Sequence, residues 1–134
     1  MPQVLLDTST LSEIIKGQNA SVSSHAQQYL AVYQQFSFSI LTRYEILRGL
    51  EAKGATRQIT HFHQRCTRSN VLPLTDEIVV IASRIYAELY RAGQLISDAD
   101  ILIAATARFH NLDLVSENVR HFERVPGLSV TSWR

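Results

Sequence analysis

Short apolar runs alternate with helical stretches along the whole of this chain, and that alternation constrains the fold more than any other feature. VLLD at 4–7, FSFSI at 36–40, NVLPL at 70–74 and LSVTSW at 128–133 have the length and composition of strands, and LDLVSEN at 112–118 reads as a strand running into a loop. Between them, apolar residues recur at helical spacing. Leu11, Ile14 and Ile15 precede a stop at Gly17, and Val22, Ala26, Tyr29, Leu30 and Tyr33 mark a second helix within 22–35. Ile46, Leu47 and Leu50 precede Gly54, Ile59 and Phe62 fall within 56–67, and two longer helices are expected at 75–93 and from Asp100 to His110. Strand followed by helix, repeated, predicts a three-layer α/β/α domain with a mostly parallel central sheet covered on both faces. A length of 134 residues fits one such domain spanning 1–134, with no linker or internal repeat to divide it.

Composition narrows the functional classes. No segment approaches the ~18 consecutive apolar residues of a membrane span, and the opening MPQVLLDT lacks the basic and long apolar regions of a signal peptide. A cytoplasmic protein with no membrane partner is therefore expected. Cys66 is the only cysteine, which excludes an internal disulfide and a paired-cysteine metal site. The net charge is only +1, yet residues 43–68 gather six basic groups against two acidic ones. Such a segment can track a polyanion, or simply coat the solvent face of two helices.

The acids carry the sharper signal. Asp7 closes the first expected strand, Glu45 falls in the expected first turn of the helix after FSFSI, and Asp98 and Asp100 open the helix after Leu95 and Ile96. All lie where strands pass into helices, the edge at which α/β sheets bind ligands. Taken singly, each has a structural explanation: Thr42 with Glu45 and Ser97 with Asp100 have capping-box spacing, and Asp7 can cap the helix that follows it. Together they raise a different problem. Carboxylates flanked by VLL, EILRGL and ILIAA lose water on folding and repel one another in a medium of low dielectric. A cation should sit among them, and a divalent ion such as Mg²⁺, hard and oxygen-seeking, answers the geometry better than lysine or arginine. Glu13, Glu51, Glu77 and Glu88 fall inside helices and read as ordinary surface.

With those residues in place, the chain resembles the PIN-domain ribonucleases, and among them the VapC-type toxins of bacterial toxin–antitoxin pairs. The likeness rests on LLDTSTL, on the acid of TRYEILRGL, on GQLISDADILIAATA, and on LVSENVRHFERVPGLSV leading to a terminal tryptophan segment. It implies that Asp7, Glu45 and Asp100 are acidic ligands of Mg²⁺ or Mn²⁺, with Asp98 beside them at a position that varies in the family. The family's fourth acidic position falls at Asn118, with Glu117 next to it, so the site carries less negative charge. Thr8, Ser9 and Ser116 are candidates for orienting a carboxylate or a water. The implied activity is metal-dependent endonucleolytic cleavage of a structured RNA, a transfer RNA or a ribosomal RNA loop. The implied partners are a VapB-like antitoxin and a second copy of the chain. Arg43, Arg48 and Arg57 are then candidate contacts to RNA or antitoxin. His61, His63, His110 and His121 are not required by this chemistry.

Two other enzyme classes fit less well. An aspartyl phosphatase of the haloacid-dehalogenase type carries a second aspartate two residues after the first, where Ser9 stands here, and a phospho-receiver domain needs a late lysine, whereas the only lysines are Lys16 and Lys53. The alternative from another class is a PIN fold without catalysis, serving as an RNA-binding or protein-interaction module. Asn118 is the feature that favours it.

Overall fold

The computed structural model describes residues 1–134. Strands β1 (Val4–Leu6), β2 (Ser37–Ser39), β3 (Asn70–Leu72), β4 (Asp113–Val115) and β5 (Val130–Thr131) alternate with helices. The helices are α1 (Thr8–Lys16), α2 (Ala20–Tyr33), α3 (Ile40–Lys53), α4 (Thr56–Thr67), α5 (Asp76–Arg91), α6 (Asp98–Phe109) and α7 (Val119–Phe122). The strands form one sheet in the order β3-β2-β1-β4-β5, and every pairing is parallel.

The central strand explains the two-sided core. All three residues of β1 are buried, and successive side chains of a strand point to opposite faces. Leu5 joins Leu114, Ile78, Ile85, Ile101 and Phe122 under α5, α6 and α7, while Val4 and Leu6 join Phe38, Val115, Tyr29, Phe62 and Trp133 under α1, α2 and α4. Burial on both faces is why β1 reads as a continuous apolar run.

The sheet is wholly rather than mostly parallel, and Pro73 follows the end of β3. One boundary differs in a way that matters for function. The strand expected at 36–40 ends at Ser39, whose fully buried side chain accepts a hydrogen bond from the Leu41 amide at 3.0 Å and so caps α3. The helix therefore begins at Ile40, earlier than expected, and Glu45 lies in its second turn. Thr42 is then an interior residue, and no capping box forms there. The last expected strand also shortens to Val130–Thr131, because Trp133 leaves the sheet to pack at 5.7 Å from Tyr29. Helix α7 was not expected at all, since four residues are too few to display a period.

Candidate active site

Parallel register builds the site. Leu6 pairs with Val115 and with Phe38, so the next residue of β1, Asp7, emerges between the carboxyl ends of β4 and β2. Asp7 sits at the N-cap of α1 with extended backbone, but its side chain makes no capping bond. Its Oδ2 instead accepts the hydroxyls of Ser116 at 2.8 Å and Ser9 at 3.1 Å. Ser116, the residue just after β4, is fully buried, and its Oγ also accepts the Asn118 amide. Ser9 Oγ in turn accepts the Glu117 amide at 3.2 Å.

Asp7 is only 4% exposed, and no lysine, arginine or histidine lies within ion-pair distance of it. Burial holds its carboxyl above the ordinary range. The Ser116 hydroxyl works against that shift, and the charge of Asp100 adds to it.

Glu45 reaches the same edge from α3. Its Oε1 accepts the Thr8 hydroxyl at 2.7 Å, and Thr8 Oγ1 lies 3.0 Å from Thr42 Oγ1. Thr8 has one hydroxyl proton and gives it to Glu45, so Thr42 is the donor in the second bond. Thr42, fully buried one turn before Glu45, thus braces the carboxylate indirectly. Arg48 stands 3.8 Å from Glu45 Oε2 and lies over the Tyr44 ring.

Asp100 comes from the first turn of α6. Ser97 caps that helix by accepting the Asp100 amide at 3.2 Å, the expected half of a capping box. The Asp100 carboxylate, however, meets His121 of α7, with Oδ2 3.1 Å from Nδ1. Burial raises the Asp100 carboxyl above its usual range, the neighbouring His121 opposes the shift, and the charge of Glu45 reinforces it. Asp7 thus feels Asp100, and Asp100 feels Glu45: three anions from distant parts of the chain share one field.

The other sequence candidates divide. Thr8, Ser9 and Ser116 each lie on a carboxylate, as described. Asp98 is exposed, and Asn118 is exposed with its amide tied to Ser116. Arg43 donates toward His63 Nδ1 at 3.1 Å between α3 and α4, and Arg57 is exposed on α4, so Arg48 alone of the three touches an acid of the site. Three residues passed over by sequence reasoning also belong to this edge. His121 holds Asp100. Arg134 Nε is 2.6 Å from Glu117 Oε1, and its other nitrogen is 3.7 Å from Glu13, which is partly buried rather than ordinary surface. No local pattern signals either partnership.

For a metal ion, the donor set fits a hard divalent cation: it is all carboxylate and hydroxyl oxygen, and its most buried acid lacks a counter-charge. No three of the His, Cys, Asp and Glu side chains already enclose one point at ligating distance. The site is an anionic crevice rather than a closed cage.

The PIN-domain family model matches residues 4–128. The Ribonuclease VapC2 of Haemophilus influenzae is 32% identical over 134 residues, covering 99% of each chain. The chain belongs to the PIN-domain family, VapC type. This VapC-type domain is also 28% identical over 134 residues, covering 99% of each chain, to the tRNA(fMet)-specific endonuclease VapC of Salmonella typhimurium. Among solved structures, the DNA-bound VapBC of Salmonella typhimurium superposes with a TM-score of 0.87 at 26% identity, covering 100% of both chains. The parallel sheet and its acidic edge thus stand in a fold shared over the full length.

Proposed function

We propose that this chain is an endoribonuclease toxin that hydrolyses a phosphodiester bond in a structured RNA, a transfer RNA or ribosomal RNA, with Mg²⁺ or Mn²⁺ held by Asp7, Glu45 and Asp100. The observation that carries the reading is Asp7: a buried carboxylate with no cationic partner, electrostatically coupled to a second acid that is coupled to a third. Its relatives are named ribonuclease VapC2 and tRNA(fMet)-specific endonuclease, which supports RNA, and transfer RNA first, as the substrate.

When bound, the divalent ion supplies a Lewis acid for a phosphate oxygen and a more acidic water. The chain's own residues do the rest. Two serine hydroxyls fix Asp7, Thr8 fixes Glu45, and His121 fixes Asp100, so the acids are oriented before substrate arrives. Asp100 and Glu45, each about one-fifth exposed, are the acids a substrate-side water can reach to give up its proton, whereas Asp7 is enclosed. Arg48 stands beside the crevice to meet a phosphate, with Arg43 and Arg57 extending the cationic bank along α3 and α4. The same bank, and the crevice it borders, suit the acidic and cationic segments of a VapB-like antitoxin, and the solved neighbour is a VapBC assembly. The toxin acts as a homodimer in the cytoplasm and is released by loss of the antitoxin.

The test is incubation of purified protein with total RNA, with Mg²⁺ or with chelator, beside the Asp7→Asn variant. Discrete, metal-dependent fragments from the wild type alone are expected. Equal cleavage by the variant would overturn the assignment, and binding of RNA without fragments would favour the non-catalytic PIN module.

A further inference from the structure

Each acid of the site is oriented by a neighbouring donor, and the donors differ in origin. Ser116 follows the end of β4, and Thr8 and Ser9 sit in the first turn of α1, all within the body of the fold. The donor to Asp100 comes from α7, a single turn between β4 and β5. His121 Nδ1 lies 3.1 Å from Asp100 Oδ2, within ion-pair distance, so a ring with its proton on Nδ1 presents a donor to the carboxylate. That ring is itself held in place. The His121 amide donates to the Asn118 carbonyl at 3.0 Å, and the next residue, Phe122, is fully buried in the α5–α6 core. The backbone of Asp100 is likewise fixed by the Ser97 cap and by buried Ile101 and Ala104 on the same helix. What remains free in Asp100 is the rotation of its carboxylate, and the His121 ring, 3.1 Å from Oδ2, restricts it while leaving Oδ1 on the other side.

On the reading of the site given above, we infer that His121 is a positioning residue: through Nδ1 it aims the Asp100 carboxylate and thereby sets the affinity of the crevice for a divalent cation. Outer partners of metal-binding carboxylates typically change metal affinity 10–100-fold when removed. The ring's partial exposure, 35%, argues against a role in core stability. The inference also gives α7 a function, since Phe122 anchors the turn that carries the donor.

The test measures Mn²⁺ binding to purified, metal-free protein by titration calorimetry, with thermal melts to establish folding. His121→Ala is expected to bind Mn²⁺ roughly 10–100-fold more weakly. His121→Asn, whose side-chain amide can place a donor near the position of Nδ1, is expected to recover most of that loss. With RNA substrate, His121→Ala should show its defect at limiting Mn²⁺, regain kcat as Mn²⁺ saturates, and keep the KM of the wild type. Wild-type Mn²⁺ affinity in His121→Ala would overturn the inference, as would a folded His121→Asn protein no better than His121→Ala. Asp7→Asn serves as the separate control: if it too binds Mn²⁺ like the wild type, the reading of the site itself fails, whatever His121 does.

Discussion

The two ends of the sheet are both polar, and they are polar in opposite ways. At the carboxyl end, Asp7, Glu45 and Asp100 are partly or wholly buried anions that repel one another. At the amino end, a depression of about 200 Å³ is lined by Gln3, Gln35, Ser37, Asn70 and His110 beside the rings of Tyr29 and Tyr33. There the polar groups are almost all neutral amides and hydroxyls that satisfy one another or face water. Asn70 donates to Ser37, the Tyr29 hydroxyl accepts the Val4 amide, and Tyr33 donates to the Met1 carbonyl. This hollow thus lies at the end away from the acids. A neutral polar group can be satisfied by one hydrogen bond, whereas a desolvated carboxylate carries a charge that hydrogen bonds only partly offset. Uncompensated charge, more than concavity, distinguishes the carboxyl end of the sheet.

The strongest way to break that contrast is to neutralise one residue at each end. Asp7→Asn should lower RNA cleavage by at least about 100-fold, in line with the loss of a group that stabilises transition-state charge. Asn70→Ala should leave cleavage within about twofold, since it touches neither the acids nor the cationic bank. Initial rates on a labelled transfer RNA check both, and equal losses would erase the distinction between the ends.

A second test uses stability without metal. The folded-state pKa of Asp7 is raised by burial, so the folded protein favours the protonated acid more than the unfolded chain does. That contribution to stability is fully present below the unfolded carboxylate range and is lost as pH rises through the raised folded value. At neutral pH the ionised Asp7 therefore penalises the metal-free fold. Asp7→Asn should raise the thermal midpoint at pH 7, and its advantage should shrink as the pH is lowered into the carboxylate range. Added Mg²⁺ should raise the midpoint of the wild type only, by linkage. Melts across pH, with and without Mg²⁺, read all three expectations.

Smaller effects sharpen the picture. Thr8→Val keeps shape but removes the hydroxyl between Glu45 and Thr42, and should cost about 1 kcal/mol of stability and roughly tenfold in rate through a misaimed Glu45; denaturant melts and initial rates measure the two separately. At the other end, Ser37→Ala removes only an exposed 3.3 Å bond from Asn70 and should change stability by no more than about 0.5 kcal/mol.

Much of this was legible in the sequence. The apolar runs located the strands, Gly17 ended α1 as expected, in the left-handed conformation, and Ser97 capped its helix as its spacing suggests. The start of α3 was misread because Ser39 alternates like a strand residue and caps like a helix residue, and only its side-chain bond to Leu41 decides between the two. Asp98 and Asp100 could be told apart from helix geometry alone, since roughly 200° separates their directions, and the structure leaves Asp98 in solvent while Asp100 turns to His121.

By itself, then, the sequence determined the layers, the parallel sheet and the placing of acids at strand ends. Those follow from local periodicity, which repeats every two residues in a strand and every 3.6 in a helix and needs no distant partner. The tertiary structure alone decided which hydroxyl meets which acid: Ser116 and Asp7 lie 109 positions apart, and Thr8 and Glu45 lie 37 apart. Such pairings hang on strand register, and because a shift of one residue turns every side chain of a strand to its other face, nothing short of the assembled sheet fixes them.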